Sequence, residues 1–391
     1  MKHNFNPERL ETFDSPHQEY RRLRAECPVA HSDSWGGFWA LMKHDDVAAA
    51  AADWRTFTTV KQNVVPKVAF TGRRPPLHLD PPEHTPYRKA LAPLLTERKV
   101  ARLEPVIRTI CRDLIGAMVA NGGGDVVADF SAHMPIATFA HWMNLPADAV
   151  AELTRVGQRY NIAVQSNDMD ATKESSLLLY DMARGIVADR RANPMPADED
   201  ATSALLAARV DGKPLPEELI VGTIRQVLVV GIIAPSVTIG SIVVHLCRDQ
   251  ALQAQLRADP ALVPAAIEEF LRLYTPYRGF ARTPVRDVEV RGCPIPEGEA
   301  VALVYASANR DADVFDNPDA FELNRSNIKD SLAFGRGPHV CVGAALARLE
   351  LQVALEELLA AGPFTAAGEP RQTRFPEIGA LSAPIAFGAA A

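Results

Sequence analysis

The chain has 391 residues, of which 47% are hydrophobic and 23% are charged, and its mean hydropathy is −0.05. This balance describes a globular protein with a large buried core and excludes a disordered or fibrous chain. The formal net charge of −7 at pH 7 argues against a nucleic-acid-binding protein, because such surfaces are basic.

Neither a flexible linker nor an internal repeat interrupts the sequence, so we predict one large domain over residues 1–391. The N-terminal residues Met1 to Arg9 are polar and lack the apolar stretch of an export signal. The five cysteines are widely spaced and form neither a CxxC pair nor a zinc-binding pattern, which favours a reducing compartment. The predicted location is therefore cytoplasmic.

The periodicity of apolar residues predicts a mainly helical protein with a few short strands. A segment rich in Pro, Gly and Lys, residues 59–74, has no clear period and is predicted to be a loop. We therefore expect the fold class to be mainly α with small β-sheets. The predicted elements in chain order are a helix at Pro16–Glu26, a strand at Phe38–Met42, a helix at Asp45–Ala52, helices between Pro86 and Arg257, and strands at Val288–Val290 and Ala300–Tyr305.

One uncharged stretch, Val227–Val244, is about as long as a membrane span. It also contains Gly231, Pro235 and several hydroxyl side chains, and no second such stretch accompanies it. A helix that is apolar on all sides lies either in a membrane or at the centre of a large protein. We predict the buried central helix and no membrane association.

The strongest local signal is the segment Phe334–Gly343, in which three glycines and a proline predict a tightly folded loop. A helical pattern begins after Cys341, so this cysteine is predicted to lie at a helix N-terminus. The helix dipole and the free N–H groups there favour a thiolate over a thiol. A buried structural cysteine beside a glycine-rich turn is the alternative.

This segment resembles the haem-binding loop of the cytochrome P-450 superfamily, whose pattern is Phe-x-x-Gly-x-x-x-Cys-x-Gly. Phe334, Gly337, Cys341 and Gly343 match it in order and spacing. The resemblance extends over essentially the whole chain and implies a P-450 fold, with haem b between a long central helix and the cysteine loop. It also implies that Cys341 binds the iron, with Phe334, Gly335 and Gly343 beside the haem. Thiolate ligation favours cleavage of the O–O bond.

Glu269 and Arg272 lie three residues apart on a predicted helix, where they share a face and can form an ion pair. The superfamily carries a Glu-x-x-Arg motif at about this distance before the cysteine loop, in a buried network with a later arginine. Arg325 matches that third position best, and Arg310 is the second candidate. The resemblance implies a structural role for this triad.

Four further residues match the partners that the superfamily uses for the haem propionates. His84 and Arg88 lie four residues apart at the start of a predicted helix and share one of its faces. Arg282 and His339 match the remaining two positions. Guanidinium groups suit carboxylates because their N–H groups can form two parallel hydrogen bonds.

The central helix departs from the family pattern of an acid followed by threonine, which relays protons to bound dioxygen. With Gly231 aligned, these positions are Ala234 and Pro235, and neither can donate a proton. Pro235 leaves the carbonyl of Gly231 without its helical partner, so a kink is expected, and that carbonyl can hold a water beside the iron. Ser236 or Thr238 supplies the hydroxyl if the kink turns either inward. Alternatively, both hydroxyls bond back to the helix.

The resemblance implies that the substrate contacts the loop before His84, the central helix and the strand after the Glu-x-x-Arg helix. These segments are apolar and partly aromatic, which predicts a small neutral or phenolic substrate, with an alkoxy- or alkyl-aromatic compound most attractive. Hydroxylation and O-dealkylation remain equally open. The predicted contact residues are Val64, Val65, Val68, Phe70, Val230, Ile233, Ala234, Tyr277, Phe280 and Leu381.

The resemblance implies a soluble bacterial monooxygenase that takes dioxygen and a small hydrophobic organic substrate. Its electrons then come from a separate ferredoxin or flavoprotein. A peroxide-driven enzyme is the alternative, and a non-catalytic haem carrier or gas sensor is a third. A basic surface for an acidic ferredoxin is predicted from Arg98, Lys99, Arg102, Arg336 and Arg348, although such residues are often only solvated charges.

Overall fold

The computed structural model describes residues 5–9 and 12–388, so part of the polar N-terminal segment considered above lies outside the described residues. The helices are α1 (Ser15–Glu26), α2 (His44–Ala52), α3 (Thr85–Leu91), α4 (Glu97–Val100), α5 (Glu104–Ala120), α6 (Met134–Trp142), α7 (Ala147–Gln165), α8 (Met169–Ala192), α9 (Ala201–Ala207), α10 (Glu217–Arg248), α11 (Gln250–Ala258), α12 (Val263–Leu273), α13 (Tyr305–Ala308) and α14 (Ala344–Ala360).

The strands are short, and their bounds are β1 (Val29–Ser32), β2 (Phe38–Leu41), β3 (Phe57–Thr58), β4 (Gly123–Asp125), β5 (Arg209–Val210), β6 (Lys213–Pro214), β7 (Phe280–Pro284), β8 (Val288–Val290), β9 (Cys293–Ile295), β10 (Val301–Leu303), β11 (Phe364–Ala366), β12 (Arg371–Gln372), β13 (Ala380–Ser382) and β14 (Pro384–Phe387). The predicted fold class, mainly α with small β-sheets, is confirmed. The helix, strand and helix predicted near the N-terminus are α1, β2 and α2, and their first or last residues differ by a single position. Periodicity did not predict β4 or the β5–β6 hairpin, because such short strands carry too few alternations.

The largest sheet has five strands in the order β1-β2-β10-β7-β3, and all pairs are antiparallel except the parallel pair β2–β10. All four residues of β2 are buried. Because alternate side chains point to opposite sides of a strand, both faces of β2 are covered. Phe38 and Ala40 pack in one apolar cluster, and Trp39 and Leu41 pack in another. The sheet therefore separates two parts of the core, and β7 lies within it.

Helix α10 is the central helix of the protein and is buried along most of its length. Among the described residues, α10 is the one helix whose length and composition would allow it to cross a membrane. However, 83% of its most apolar 18-residue stretch is buried inside the protein. Such burial is typical of a core helix, so the sequence prediction of a buried central helix is confirmed. The helix runs through Pro235 as one continuous element, and its two halves contribute to two different apolar clusters.

Two features bring the chain around this helix toward the cysteine loop. Helix α14, which begins just after that loop, packs against both α5 and α10. Residues 59–84 contain no helix or strand apart from an isolated bridge at Val64, as predicted for 59–74. This long segment, called here the 59–84 loop, approaches α10 at Gly222, where an added Cβ would lie 2.1 Å from the carbonyl oxygen of Arg73. Only glycine permits that approach.

Candidate active site

The cysteine loop adopts the tight conformation that its glycines predict. Gly335 and Gly337 have φ angles of +73° and +72°, which side-chain-bearing residues rarely adopt. A Cβ on Gly337 would also lie 2.7 Å from the Cα of Ala52 in α2. The N–H of Cys341 donates a hydrogen bond of 2.8 Å to the carbonyl oxygen of Phe334, which closes the loop. Backbone geometry therefore fixes the cysteine.

Cys341 is accessible to a solvent-sized sphere, yet protein atoms surround its sulfur and this burial raises the pKa of the thiol. Both observations hold if the sulfur faces an internal recess that protein surrounds. The N–H of Gly343 donates a hydrogen bond to the sulfur and the cations of Arg88 and Arg348 lie nearby, but these smaller effects do not offset burial. A coordinated metal cation deprotonates such a thiol outright.

Four residues predicted to bind carboxylates lie around this loop. His84 Nε2 lies 3.2 Å from the carbonyl oxygen of Pro338, and its ring centroid is 5.1 Å from that of His339. Arg88 Nη1 donates a hydrogen bond of 2.6 Å to the carbonyl oxygen of Val340. The fold therefore brings the start of α3 onto the cysteine loop.

Within the described residues, Arg282 lacks an ion-pair partner and His339 Nε2 lacks a hydrogen-bond partner. Arg282 is 4% exposed, has no carboxylate partner among residues 5–9 and 12–388, and donates from Nη1 to the carbonyl oxygen of Ala281 at 2.9 Å. Burial lowers its pKa. His339 Nε2 is buried without a hydrogen bond, 3.7 Å from Asp80 Oδ1. An unpaired buried cation is costly, so this cluster fits an anionic group such as a haem propionate.

The Glu-x-x-Arg pair forms the buried network that the resemblance implies. Arg272 donates to both oxygens of Glu269 at 2.7 and 2.8 Å, and Arg325 Nε reaches the same carboxylate at 3.1 Å. Arg310 instead donates to the carbonyl oxygen of Leu273. Arg325 is therefore the third member of the network.

Comparisons with known proteins agree with this arrangement. A family model described as Cytochrome P450 matches residues 165–361. Cytochrome P450 130 of Mycobacterium tuberculosis is 33% identical to this chain, covering 95% of this chain and 94% of that relative. The chain belongs to the cytochrome P450 family. Erythromycin C-12 hydroxylase of Saccharopolyspora erythraea is 34% identical, covering 83% of this chain and 82% of its own. The structure of cytochrome P450 CYP109Q5 from Chondromyces apiculatus matches with a TM-score of 0.86 at 29% identity, covering 97% of each chain.

As a cytochrome P450, the protein is a haem-thiolate monooxygenase whose cofactor is protohaem. Enzymes of this kind use dioxygen, an organic substrate and a redox partner. The predictions of family, fold, cofactor and enzyme class are confirmed, and the non-catalytic alternative has no support.

The middle of the central helix of this P450 is buried except for one open face. Val230 is 45% exposed, and Ala234, one turn later on the same face, is partly exposed. Gly231 points elsewhere, because its added Cβ would overlap the ring of Phe139 in α6. Ile233 is buried at 7% exposure. Val230 and Ala234 are thus the predicted contact residues of α10 that border an open space.

The two hydroxyls near Pro235 are both engaged. Thr238 Oγ1 donates to the carbonyl oxygen of Ala234 at 2.8 Å, which is the bond back to the helix considered above. Ser236 Oγ instead lies 3.2 Å from Ser131 Oγ, and Ser131 donates to the carbonyl oxygen of Ser236 at 3.0 Å. The relay role of either residue stays a prediction.

The predicted substrate residues outside α10 lie in different environments. Val64 and Phe280 form a backbone bridge, and the rings of Phe280 and Tyr277 are 4.3 Å apart. Leu381 in β13 is partly buried. Phe70 is 66% exposed and stacks on His78, so its ring lies mainly toward solvent. Val64, Tyr277 and Phe280 therefore lie together in one wall.

Sequence reasoning missed several buried polar residues. Arg74 and Arg225 are 7% and 1% exposed, and Tyr160 lies beside them. Glu377 is 3% exposed and accepts a hydrogen bond of 2.7 Å from Gln165 Nε2. The available signal was Arg225 itself, a charge next to the uncharged stretch of the central helix.

The basic residues proposed to receive an electron donor are mostly exposed. Arg348 pairs with Glu268 at 2.5 Å, and half-buried Lys99 donates to the carbonyl oxygen of Asp198 at 2.6 Å. Helix α4 packs against α14, so these residues lie on elements that adjoin the cysteine loop. The exposed members are Arg98, Arg102, Arg336 and Arg348.

Proposed function

We propose that Cys341 supplies the thiolate ligand of the haem iron and that the neighbouring cationic cluster holds the propionates. This proposal is supported by one observation: the thiol lies in a recess, and cationic and imidazole side chains that are incompletely paired lie close to it. Phe334, Gly335 and Gly343 then border the haem. The propionate partners are His84, Arg88, Arg282 and His339.

The proposed reaction is insertion of one oxygen atom into a small hydrophobic organic molecule, as hydroxylation or O-dealkylation. The bound haem supplies the activation of dioxygen. This chain's residues position the substrate: Val230 and Ala234 form one wall, and Tyr277 and Phe280 form another. Their apolar and aromatic character supports an alkoxy- or alkyl-aromatic compound and excludes water from the reacting carbon.

We further propose that all 391 residues form one haem domain in the cytoplasm and that a ferredoxin or flavoprotein supplies electrons. Exposed cations on elements beside the cysteine loop support an acidic donor, because complementary charge speeds encounter. Arg102→Glu should slow reduction, with the difference shrinking as salt rises. Arg184→Glu, on the more distant α8, should leave it unchanged.

The haem ligand is tested by replacing single cysteines. Cys341→Ser should remove the thiolate signature from the spectrum of the reduced carbon monoxide complex while leaving the helical content intact. Cys293→Ser, in the peripheral strand β9, is the matched control and should retain the signature. A signature that survives in Cys341→Ser would overturn the assignment.

Peroxide-driven catalysis remains the second candidate, because the usual acid and alcohol are replaced by Ala234 and Pro235. In that case hydrogen peroxide alone should support turnover at a rate comparable with NADH, reductase and ferredoxin. A strict requirement for the reduced donor would exclude it.

A further inference from the structure

Two arginines are buried side by side without an acidic partner. Arg225 projects from α10 and is 1% exposed, and Arg74 comes from the 59–84 loop and is 7% exposed. Burial and the neighbouring charge of Arg225 lower the pKa of Arg74. Among the residues that the structure describes, neither guanidinium has a salt bridge to a carboxylate. Placing two like charges in a low-dielectric interior is unfavourable unless an anion joins them.

Several N–H groups of these arginines lack hydrogen-bond acceptors. Arg225 Nη2 donates to Ser176 Oγ at 2.8 Å, and Arg74 Nη2 lies 3.1 Å from His78 Nε2. Arg74 Nε, Arg225 Nε and Arg225 Nη1 are buried with no acceptor within 3.5 Å in the described chain, and the Tyr160 phenol is the protein group that interacts with both guanidinium groups. Leaving such donors unmet costs the full desolvation of each group, so the arrangement calls for an acceptor.

The phenol of Tyr160 in α7 faces the same two charges. Burial tends to raise its pKa, but Arg225 and Arg74 outweigh burial and lower it. The guanidinium carbon of Arg225 lies 5.0 Å from the centroid of the Tyr160 ring. Tyr160 therefore adds a hydroxyl and an aromatic face to a region of positive potential.

This cationic cluster lies toward the proposed substrate space. Burial, followed by the nearby groups Glu377, Cys341 and Tyr160, raises the pKa of Tyr277. Tyr277 is thus near both the cysteine loop and Tyr160 of the cluster. On α10, Gln226 follows Arg225 and has a buried, unpaired Oε1. Val230, on the open face, lies one turn after Gln226.

Glycines hold the 59–84 loop in the position that buries Arg74. Gly222 lets the carbonyl of Arg73 lie against α10, where an added Cβ would be 2.1 Å from that oxygen. At Gly72, with φ +152°, an added Cβ would be 2.5 Å from the hydroxyl of Tyr180. The loop is therefore fitted closely to α8 and α10, and the two arginines are preorganised.

We propose that the substrate is a carboxylic acid whose carboxylate is bound by Arg74 and Arg225, with its oxidisable carbon directed toward Tyr277 and the cysteine loop. One planar carboxylate matches guanidinium forks and supplies acceptors for the unpaired N–H groups. This inference rests on the proposed function and replaces the expectation of a neutral or phenolic substrate with an aromatic or aliphatic acid.

The test measures binding of matched compounds to the ferric holoenzyme by the spin-state shift of its absorption spectrum and by calorimetry. The pair 4-methoxybenzoate and 4-methoxybenzyl alcohol shares a ring and a methoxy group but differs in charge. A medium-chain fatty acid and its alcohol form a second pair of different length. In at least one pair the acid should bind at least about tenfold more tightly, because charge-assisted hydrogen bonds to a buried site are strong.

Variants assign that preference to the two arginines. Arg74→Gln and Arg225→Gln should each remove the preference for the acid, while Arg184→Gln on the exposed face of α8 should retain it. Arg225→Met should unfold at a urea concentration no lower than the parent, because it removes an unpaired buried charge. If it unfolds earlier, the Arg225 variants are set aside and Arg74→Gln and Arg74→Lys decide.

Equal binding of acid and alcohol in both pairs, or acid binding that survives both glutamine variants, would overturn the proposal. Failure of the proposed function is seen separately, as loss of the thiolate signature in the unmodified protein. A preference for acids that depends on Arg74 and Arg225 in a protein with that signature supports both.

Discussion

The carboxylate of Glu269 accepts hydrogen bonds from the guanidinium of Arg272 at 2.7 and 2.8 Å, and both side chains are no more than 1% exposed. Arg325 adds a contact at 3.1 Å to the same carboxylate. Two buried cations therefore share the single charge of this carboxylate, and Arg325 also pairs with Glu322 at 3.2 Å. The remaining N–H groups of Arg272 donate to backbone carbonyl oxygens, including that of Asn309.

Removing this anion should be severe. Glu269→Gln leaves Arg272 buried without a counter-charge and leaves Arg325 with only the exposed Glu322, so we expect the free energy of unfolding to fall by about 3–5 kcal/mol. Urea denaturation followed by circular dichroism measures the change. Glu268→Gln is the matched control, because the adjacent Glu268 pairs with half-exposed Arg348 and should contribute at most about 1 kcal/mol. Equal effects of the two changes would contradict the prediction.

The close approach of Gly337 to α2 gives a second prediction. Gly337→Ala combines a φ of +72° with a Cβ 2.7 Å from the Cα of Ala52, so stability should fall by more than 2 kcal/mol, roughly, and haem retention should decrease. Gly298→Ala has a φ of +86° but open space around the added Cβ, so it reports backbone strain alone. Thermal unfolding and haem content compare the two. A Gly298→Ala loss as large as that of Gly337→Ala would show that the contact with α2 contributes nothing.

Buried Glu377 should make stability depend on pH. Burial raises its pKa from 4.5 to about 7, so between these values the folded state holds a proton that the unfolded state has released. This contribution to stability is complete below pH 4.5 and is lost as pH rises through 7, by at most about 3 kcal/mol. Glu377→Gln should flatten the profile of urea midpoints between pH 5 and 8, roughly, and raise stability at the upper end. The exposed Glu369→Gln control should keep the parent's slope.

The hydroxyls near Pro235 are predicted to differ in their effect on coupling. Thr238 donates its proton to a carbonyl oxygen of its own helix, that of Ala234, whereas Ser236 shares its hydrogen bond with the hydroxyl of Ser131, which can both accept and return a proton. Ser236→Ala should therefore lower product formed per NADH by up to about tenfold, with the difference released as hydrogen peroxide. Thr238→Val, nearly isosteric, should change this ratio much less. An unchanged ratio in Ser236→Ala would remove Ser236 from the proton route.

The sequence by itself determined the parts of this P450 that depend on local spacing. The glycine positions around Cys341 required a tight loop, and the three-residue spacing of Glu269 and Arg272 placed both on one helix face. Likewise, the uncharged stretch around Pro235 required a buried central helix. Each of these is a property of neighbouring residues and needs no knowledge of distant contacts.

Only the tertiary structure decided which groups meet across the fold. Arg74 and Arg225 are far apart in the chain, and each alone resembles an ordinary surface arginine. They become an unpaired buried pair because Gly222 admits the 59–84 loop against α10. The direction of Ser236 and the open face at Val230 were likewise set by the packing of neighbouring elements on α10. Burial and pairing of charge are long-range properties, since they depend on every element that excludes water from the site.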